Sequence, residues 1–147
     1  MDEGIVFTVP GQPVGKGRPK TAVRGGKFAH MYTPEKTVNY EGLVSMAGKE
    51  AMCGQIPMTG PLLVTLEIVL QVPASWSKKK QAAALEGIVL PTKKPDLDNV
   101  IKAIFDGLNG VCYMDDVQIV ESHQRKIYGV KVGVKVGIKP IFGGQSA

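Results

Sequence analysis

The chain has 147 residues, a net charge of +5 and a pI near 9.2, with 44% hydrophobic and 21% charged residues. That length and composition suit one globular domain, 1–147, which can bury a core without staples. Two distant cysteines, Cys53 and Cys112, exclude a disulfide framework; with only His30 and His123 beside them no zinc spacing exists, and a reducing cytoplasm is the expected setting. Residues 1–10 carry Asp2 and Glu3 and lack the basic start and apolar run of a signal peptide. The most apolar stretch, 62–70, contains Glu67 and is far too short to cross a bilayer.

In chain order, residues 5–9 predict a β-branched strand ended by Pro10. Residues 10–34 are rich in Gly, Pro and bases, with Gly25-Gly26 as a hairpin turn between 21–24 and 27–32. Thr33-Pro34-Glu35 reads as a helix start, and the helix is expected to run to Met52 on a loose stripe of Val38, Leu43, Val44, Ala47 and Ala51, with Gly54 as its stop. Residues 61–72 predict a strand buried on much of both faces. Ser75 is the expected cap of a short helix over 76–86, which Lys78, Lys79 and Lys80 weaken at its positive dipole end.

The clearest helix is 96–109. Leu97, Ile101, Ile104, Phe105 and Leu108 form one apolar face, and Asp98, Lys102, Asp106 and Asn109 share another. A strand over 116–127 follows. Strict alternation over 130–138 predicts another, joined to it antiparallel through Tyr128-Gly129. The order suggests an α+β fold with a mixed sheet packed by helices and a basic N-terminal hairpin.

Chemistry is concentrated at Pro95-Asp96-Leu97-Asp98-Asn99. An acid at a helix start commonly serves only as a cap or meets the positive dipole end. Here Lys102 follows Asp98 by one turn, and Asp115-Asp116 precedes the next strand, which a short connection folds back near the helix. Asp115 and Asp116 point to opposite sides, so one of them should face a shared site. Crowded carboxylates favour a hard cation such as Mg2+ or Mn2+, which can polarise a phosphoryl oxygen and activate water. Lys102 would then offset charge in a phosphoryl-transfer transition state, although a surface ion pair explains its spacing equally well.

The run from Lys94 to Glu121 resembles the signature of the RusA family of Holliday-junction resolvases: Asp-Leu-Asp-Asn, a lysine four residues after the second Asp, then Asp-Asp-Val-Gln-Ile-Val. Pro10-Gly-Gln-Pro-Val-Gly-Lys-Gly-Arg-Pro-Lys and Tyr32-Thr-Pro are similar to its phage and prophage branch. The resemblance implies metal-binding aspartates at Asp96, Asp98 and Asp116 and an essential lysine at Lys102. It also implies a homodimer that uses Mg2+ to nick a four-way DNA junction symmetrically. Asp115 is a weaker candidate with a structural alternative, and Asp106 is expected in a salt bridge or in solvent.

Gly11-x-x-x-Gly15-Lys16 is one residue short of a phosphate-binding P-loop and has Gly17 where Ser or Thr should hold magnesium, so a nucleotide site is rejected. Lys16, Arg18, Lys20, Arg24 and Lys27 are better read as sequence-independent contacts to DNA phosphates, against the alternative of a solvated loop. Trp76 is expected against the sheet, and Tyr113 is open between core packing and stacking on exposed bases. Two other functions stay open: a catalytically inactive module that binds branched DNA, and a metal-dependent phosphohydrolase of free nucleotides.

Overall fold

The computed structural model describes residues 4–17 and 34–142 in full, and the backbone of 20–24 and 28–32. In chain order its elements are β1 (Ile5–Pro10), β2 (Lys20–Arg24), β3 (Phe28–Tyr32), α1 (Glu35–Met52), β4 (Leu62–Leu70), α2 (Lys78–Leu85) and α3 (Leu97–Leu108). A 3-10 turn (Asp116–Gln118), β5 (Ile119–Tyr128) and β6 (Gly133–Pro140) complete them. The fold is α+β. One mixed sheet has the order β1-β6-β4-β5, and β2 pairs with β3 in a separate antiparallel ribbon. Gly25-Gly26, the predicted turn of that ribbon, lies outside the described residues, as do Lys27 and Thr33, the predicted cap of α1.

Strand β4 is central, antiparallel to β6 and parallel to β5. Its Leu62, Val64, Leu66, Ile68 and Leu70 are all buried, whereas Thr65 is exposed, so one face lies in the core and the other is only partly covered. That corrects the expectation of burial on both faces. Val134, Val136 and Ile138 of β6 and Val9 of β1 join the same core face.

The parallel pairing of β4 and β5 needs a crossover. Residues 71–118 supply it, with α2 and α3 on the way. The predicted β5–β6 hairpin is not formed, because β4 lies between the two strands. Their connection passes over the end of β4, where the Gly129 amide donates to Leu70 O at 3.1 Å. Alternation gives the buried face of β6 but carries no information about which strand neighbours which.

Helices α1 and α3 cover the core face and pack on each other. The contact rests on two glycines. A Cβ on Gly48 would stand 2.6 Å from Leu108 Cδ2, and one on Gly107 would stand 2.8 Å from Val44 Cγ1. The buried row of α1 is Thr37, Tyr40, Val44, Gly48 and Met52. The predicted stripe was therefore rotated: Val38 is 51% exposed. Helix α1 closes on Cys53 in the left-handed conformation (φ 50°), one residue before the expected Gly54.

Helix α3 keeps the predicted apolar face, centred slightly differently: Val100, Ala103, Ile104, Gly107 and Leu108 are buried, with Leu97, Ile101 and Phe105 packed at its margin. Each large side chain buried there contributes about 1.5–3 kcal/mol. Helix α2 starts later than expected and is capped by Ser77, not Ser75: the Lys80 amide donates to Ser77 Oγ at 3.2 Å. Trp76 packs edge-on against Tyr128 of β5, with ring centroids 5.3 Å apart. Cys53 and Cys112 are both free thiols. Among the described residues no helix is long and apolar enough to cross a membrane.

Candidate active site

Helix α3 begins at Asp96, whose extended backbone (φ −66°, ψ 140°) and carbonyl, accepting from Val100 N at 3.1 Å, make it the N-cap. Its side chain makes no capping hydrogen bond. The structural use that most often explains an aspartate at this position is thus not taken up. Asp98 lies in the first turn, and both side chains are exposed. Among the described residues neither carboxylate has a hydrogen bond or an ion pair.

The Asp115-Asp116 step divides its labour clearly. Asp115 Oδ1 accepts from Val117 N at 3.0 Å and caps the 3-10 turn. Gln118 closes the reciprocal capping box: its Oε1 accepts from Asp115 N at 3.2 Å and Met114 N at 3.0 Å. Its Nε2 donates to Met58 O at 3.0 Å and Gly60 O at 3.1 Å, which ties the turn to the segment before β4. The first acid and the glutamine of this motif are therefore structural, and Asp116 is left half-buried at the head of β5. Burial raises the Asp116 carboxyl above its usual range, helped by a hydrogen bond with Asp115 and by the charges of Asp106 and Asp115, while Lys102 pulls it back.

Lys102 and Asp106 stand one turn apart on α3, with Lys102 Nζ 3.6 Å from Asp106 Oδ2. Asp106 also receives Lys16 Nζ at 3.1 Å, and Lys16 donates to Glu41 Oε2 of α1 at 2.7 Å. Glu41, Lys16, Asp106 and Lys102 thus form a chain of alternating charge. Its inner side chains are only 20–22% exposed, but that of Lys102 is 63% exposed and free to reach outward. Burial pulls the Lys16 ammonium down, but its hydrogen bonds and attraction to Glu41 and Asp106 prevail and hold its pKa above the ordinary value.

The segment before β2 is seated on this helix. Lys16 N donates to Asn99 O at 2.8 Å, and Gly17 N donates to Thr37 Oγ1 at 2.9 Å. A Cβ on Gly15 would stand 2.9 Å from Asn99 Cβ, so glycine is what allows the backbone to approach α3. Between this segment and Asp96 lies a cleft of about 780 Å³ with Lys16, Lys36 and Lys94 on its walls.

Among the predicted phosphate contacts, Lys16 is therefore placed between two carboxylates. Arg18 and Lys27, and the side chains of Lys20 and Arg24, lie outside the described residues. Tyr113 is fully buried, and its hydroxyl donates to Phe105 O at 2.8 Å, which settles it as a core residue. Among the described residues no three His, Cys, Asp or Glu side chains are grouped tightly enough to hold a metal ion as they stand. The available donors are nonetheless exposed or half-buried carboxylate oxygens, a set that fits Mg2+ or Mn2+ and offers nothing to a soft metal.

Sequence reasoning missed Glu41, Lys36 and Lys126. Glu41 lies one turn beyond Thr37, on a helix whose phase was misread. Lys126 donates to Lys93 O and Pro95 O, both at 2.9 Å, from the core-facing side of β5, where strand parity could have found it.

The uncharacterized protein YqaN of Bacillus subtilis (strain 168) is 37% identical over 139 residues, covering 93% of this chain and 96% of its own. The family pattern described as Endodeoxyribonuclease RusA matches residues 10–139, which include every acid and lysine of the site just described. The chain belongs to the RusA endodeoxyribonuclease family.

Proposed function

We propose that this chain is a Mg2+-dependent, structure-selective endonuclease that resolves four-way DNA junctions by two symmetric phosphodiester cuts. The observation that carries the reading is the pair of carboxylates at the start of α3. Asp96 and Asp98 have no protein partner among the described residues, and Lys102 follows one turn later. Family membership supplies the substrate class.

In this reading Asp96, Asp98 and Asp116 hold the ion, with Mn2+ an alternative for the same oxygen donors. The bound ion supplies a lowered pKa for water and polarisation of the scissile phosphate. Asp96 and Asp98 would hold it with exposed side chains, whose rotamers exchange quickly. Lys102 places its ammonium against negative charge developing on the phosphoryl or leaving oxygen. Lys16, Arg18, Lys20, Arg24 and Lys27 belong to the segment that guides the DNA backbone, with Lys16 also anchoring that segment on α3. Two cuts related by a twofold axis are served by a homodimer with two equivalent sites. Residues 1–147 then act as one endonuclease domain, and the setting is the cytoplasm, where such DNA is found.

The test is a synthetic four-way junction with labelled strands, incubated with Mg2+ or with EDTA, beside linear duplex and free nucleotides. Paired nicks across the junction, with Mg2+ alone and little cutting of duplex, are expected. Salt-sensitive binding without nicking would identify an inactive junction-binding module. Phosphate or pyrophosphate released from nucleotides, with junctions intact, would identify a phosphohydrolase.

A further inference from the structure

Lys126 occupies an unusual position for a lysine. Its Cα pairs with Ile68 of β4, which is fully buried, so its side chain leaves β5 on the core-facing side of the sheet. The side chain is half-buried at the sheet edge, where protein acceptors can replace part of its water. It finds two backbone carbonyls, Lys93 O and Pro95 O, each at 2.9 Å. Among the described residues it forms no ion pair.

Both carbonyls belong to the turn that delivers the chain to Asp96. Pro95 has no amide hydrogen to tie itself down, and the Asp96 side chain does not bond the helix it caps. Lys126 thus ties this turn to the sheet by two hydrogen bonds. The same strand begins directly after the 3-10 turn that carries Asp116. Strand β5 thus holds Asp116 at its head and, through Lys126, the backbone leading to Asp96.

We propose that Lys126 is a positioning residue for the metal-binding carboxylates. By clamping residues 93–95 to β5 it fixes where Asp96 leaves the turn relative to Asp116. Lys126 touches neither metal nor substrate in this role; it sets the spacing between two parts of the ligand set that are 20 residues apart in sequence. The inference rests on Asp96 acting as a metal ligand. Outer partners that orient metal ligands typically account for about 10–100-fold in metal affinity.

The test is Mn2+ binding to the DNA-free protein, by calorimetry and by the EPR signal of unbound Mn2+. It compares wild type with Lys126→Met, Lys126→Arg and Asp96→Asn, each first shown to be folded. Lys126→Met is expected to bind Mn2+ at least about tenfold more weakly. Its junction cleavage should need correspondingly more Mn2+ and recover at saturation, while junction binding in EDTA stays unchanged. Lys126→Arg, which keeps charge and donors, should recover most of the affinity. A folded Lys126→Met with wild-type Mn2+ affinity, beside an Asp96→Asn variant that has lost it, would overturn the positioning role alone. Wild-type Mn2+ affinity in Asp96→Asn would overturn the ligand assignment and with it this inference. Should Lys126→Met fail to fold, Lys126→Gln, which retains an amide donor group but not the charge, is read by the same criteria.

Discussion

Lys102 Nζ stands 3.6 Å from Asp106 Oδ2, one turn along α3, with Asp106 held in turn by Lys16 at 3.1 Å. An exposed lysine has many rotamers, and a carboxylate one turn on limits them. Ordering such a side chain is worth roughly 1 kcal/mol, which corresponds to about fivefold in rate. Asp106→Asn is therefore expected to lower cleavage about fivefold at saturating Mg2+ and to leave junction affinity unchanged or slightly improved. Single-turnover cleavage and a gel-shift titration check both numbers.

Lys16 joins the N-terminal segment to both helices of the core face. Lys16→Met leaves Glu41 and Asp106 facing each other with less positive charge between them, and thermal melting should show a loss of about 1–2 kcal/mol, between the values for exposed and for buried pairs. The pH dependence has a definite sign. A lysine whose pKa is raised by folding stabilises fully below its unfolded value, 10.5, and loses that contribution as pH climbs through the higher folded value. Wild type should therefore lose more stability than Lys16→Met as pH climbs above the unfolded value, 10.5, and the two should run parallel near neutrality.

Asp116 carries the opposite kind of shift. Its carboxyl is raised by burial, by the hydrogen bond with Asp115 and by neighbouring negative charge, so folding disfavours its ionised form. Metal-free protein should gain stability as pH falls through that raised pKa. Asp116→Asn should raise the melting temperature of the metal-free chain at neutral pH while abolishing cleavage. Added Mg2+ should stabilise wild type and have little effect on the variant.

Gly107 lies against Val44 with room for a hydrogen and none for a methyl: the added Cβ would stand 2.8 Å from Val44 Cγ1 and 3.1 Å from Glu41 O. Gly107→Ala forces α1 away from α3 at an expected loss of about 1–3 kcal/mol. Because Glu41 rides on α1, the Lys16 bridge should loosen as well. Chemical denaturation measures the loss.

Much of this molecule can be read from patterns that are local. The apolar run of 62–70 names a strand, and the alternation of 130–138 and the helical period of 97–108 each name an element and its buried face. The acid and lysine spacing around Asp98 and Lys102 follows from one helix. What sequence hides is relational. The β5–β6 hairpin fails because β4 inserts between two strands that are neighbours in sequence. The phase of α1 is lost in part because it packs on α3 through Gly48, which carries no hydropathy signal. Lys16 looks like a phosphate ligand until Glu41 and Asp106, 25 and 90 residues away, are placed around it. Asp115 and Asp116 are indistinguishable as letters; the capping box of Gln118 tells them apart.

The central claim is that the carboxylates at the start of α3, unpaired among the described residues, make a metal-dependent nuclease. Cleavage of a four-way junction by wild type and by Asp98→Asn, at equal protein and saturating Mg2+, tests it most directly. Wild type should introduce paired nicks that EDTA abolishes, and Asp98→Asn should bind the junction at least as tightly and cut it at least about a hundredfold more slowly, a loss of roughly 2.7 kcal/mol of transition-state stabilisation. Equal cutting by the two proteins would contradict the account.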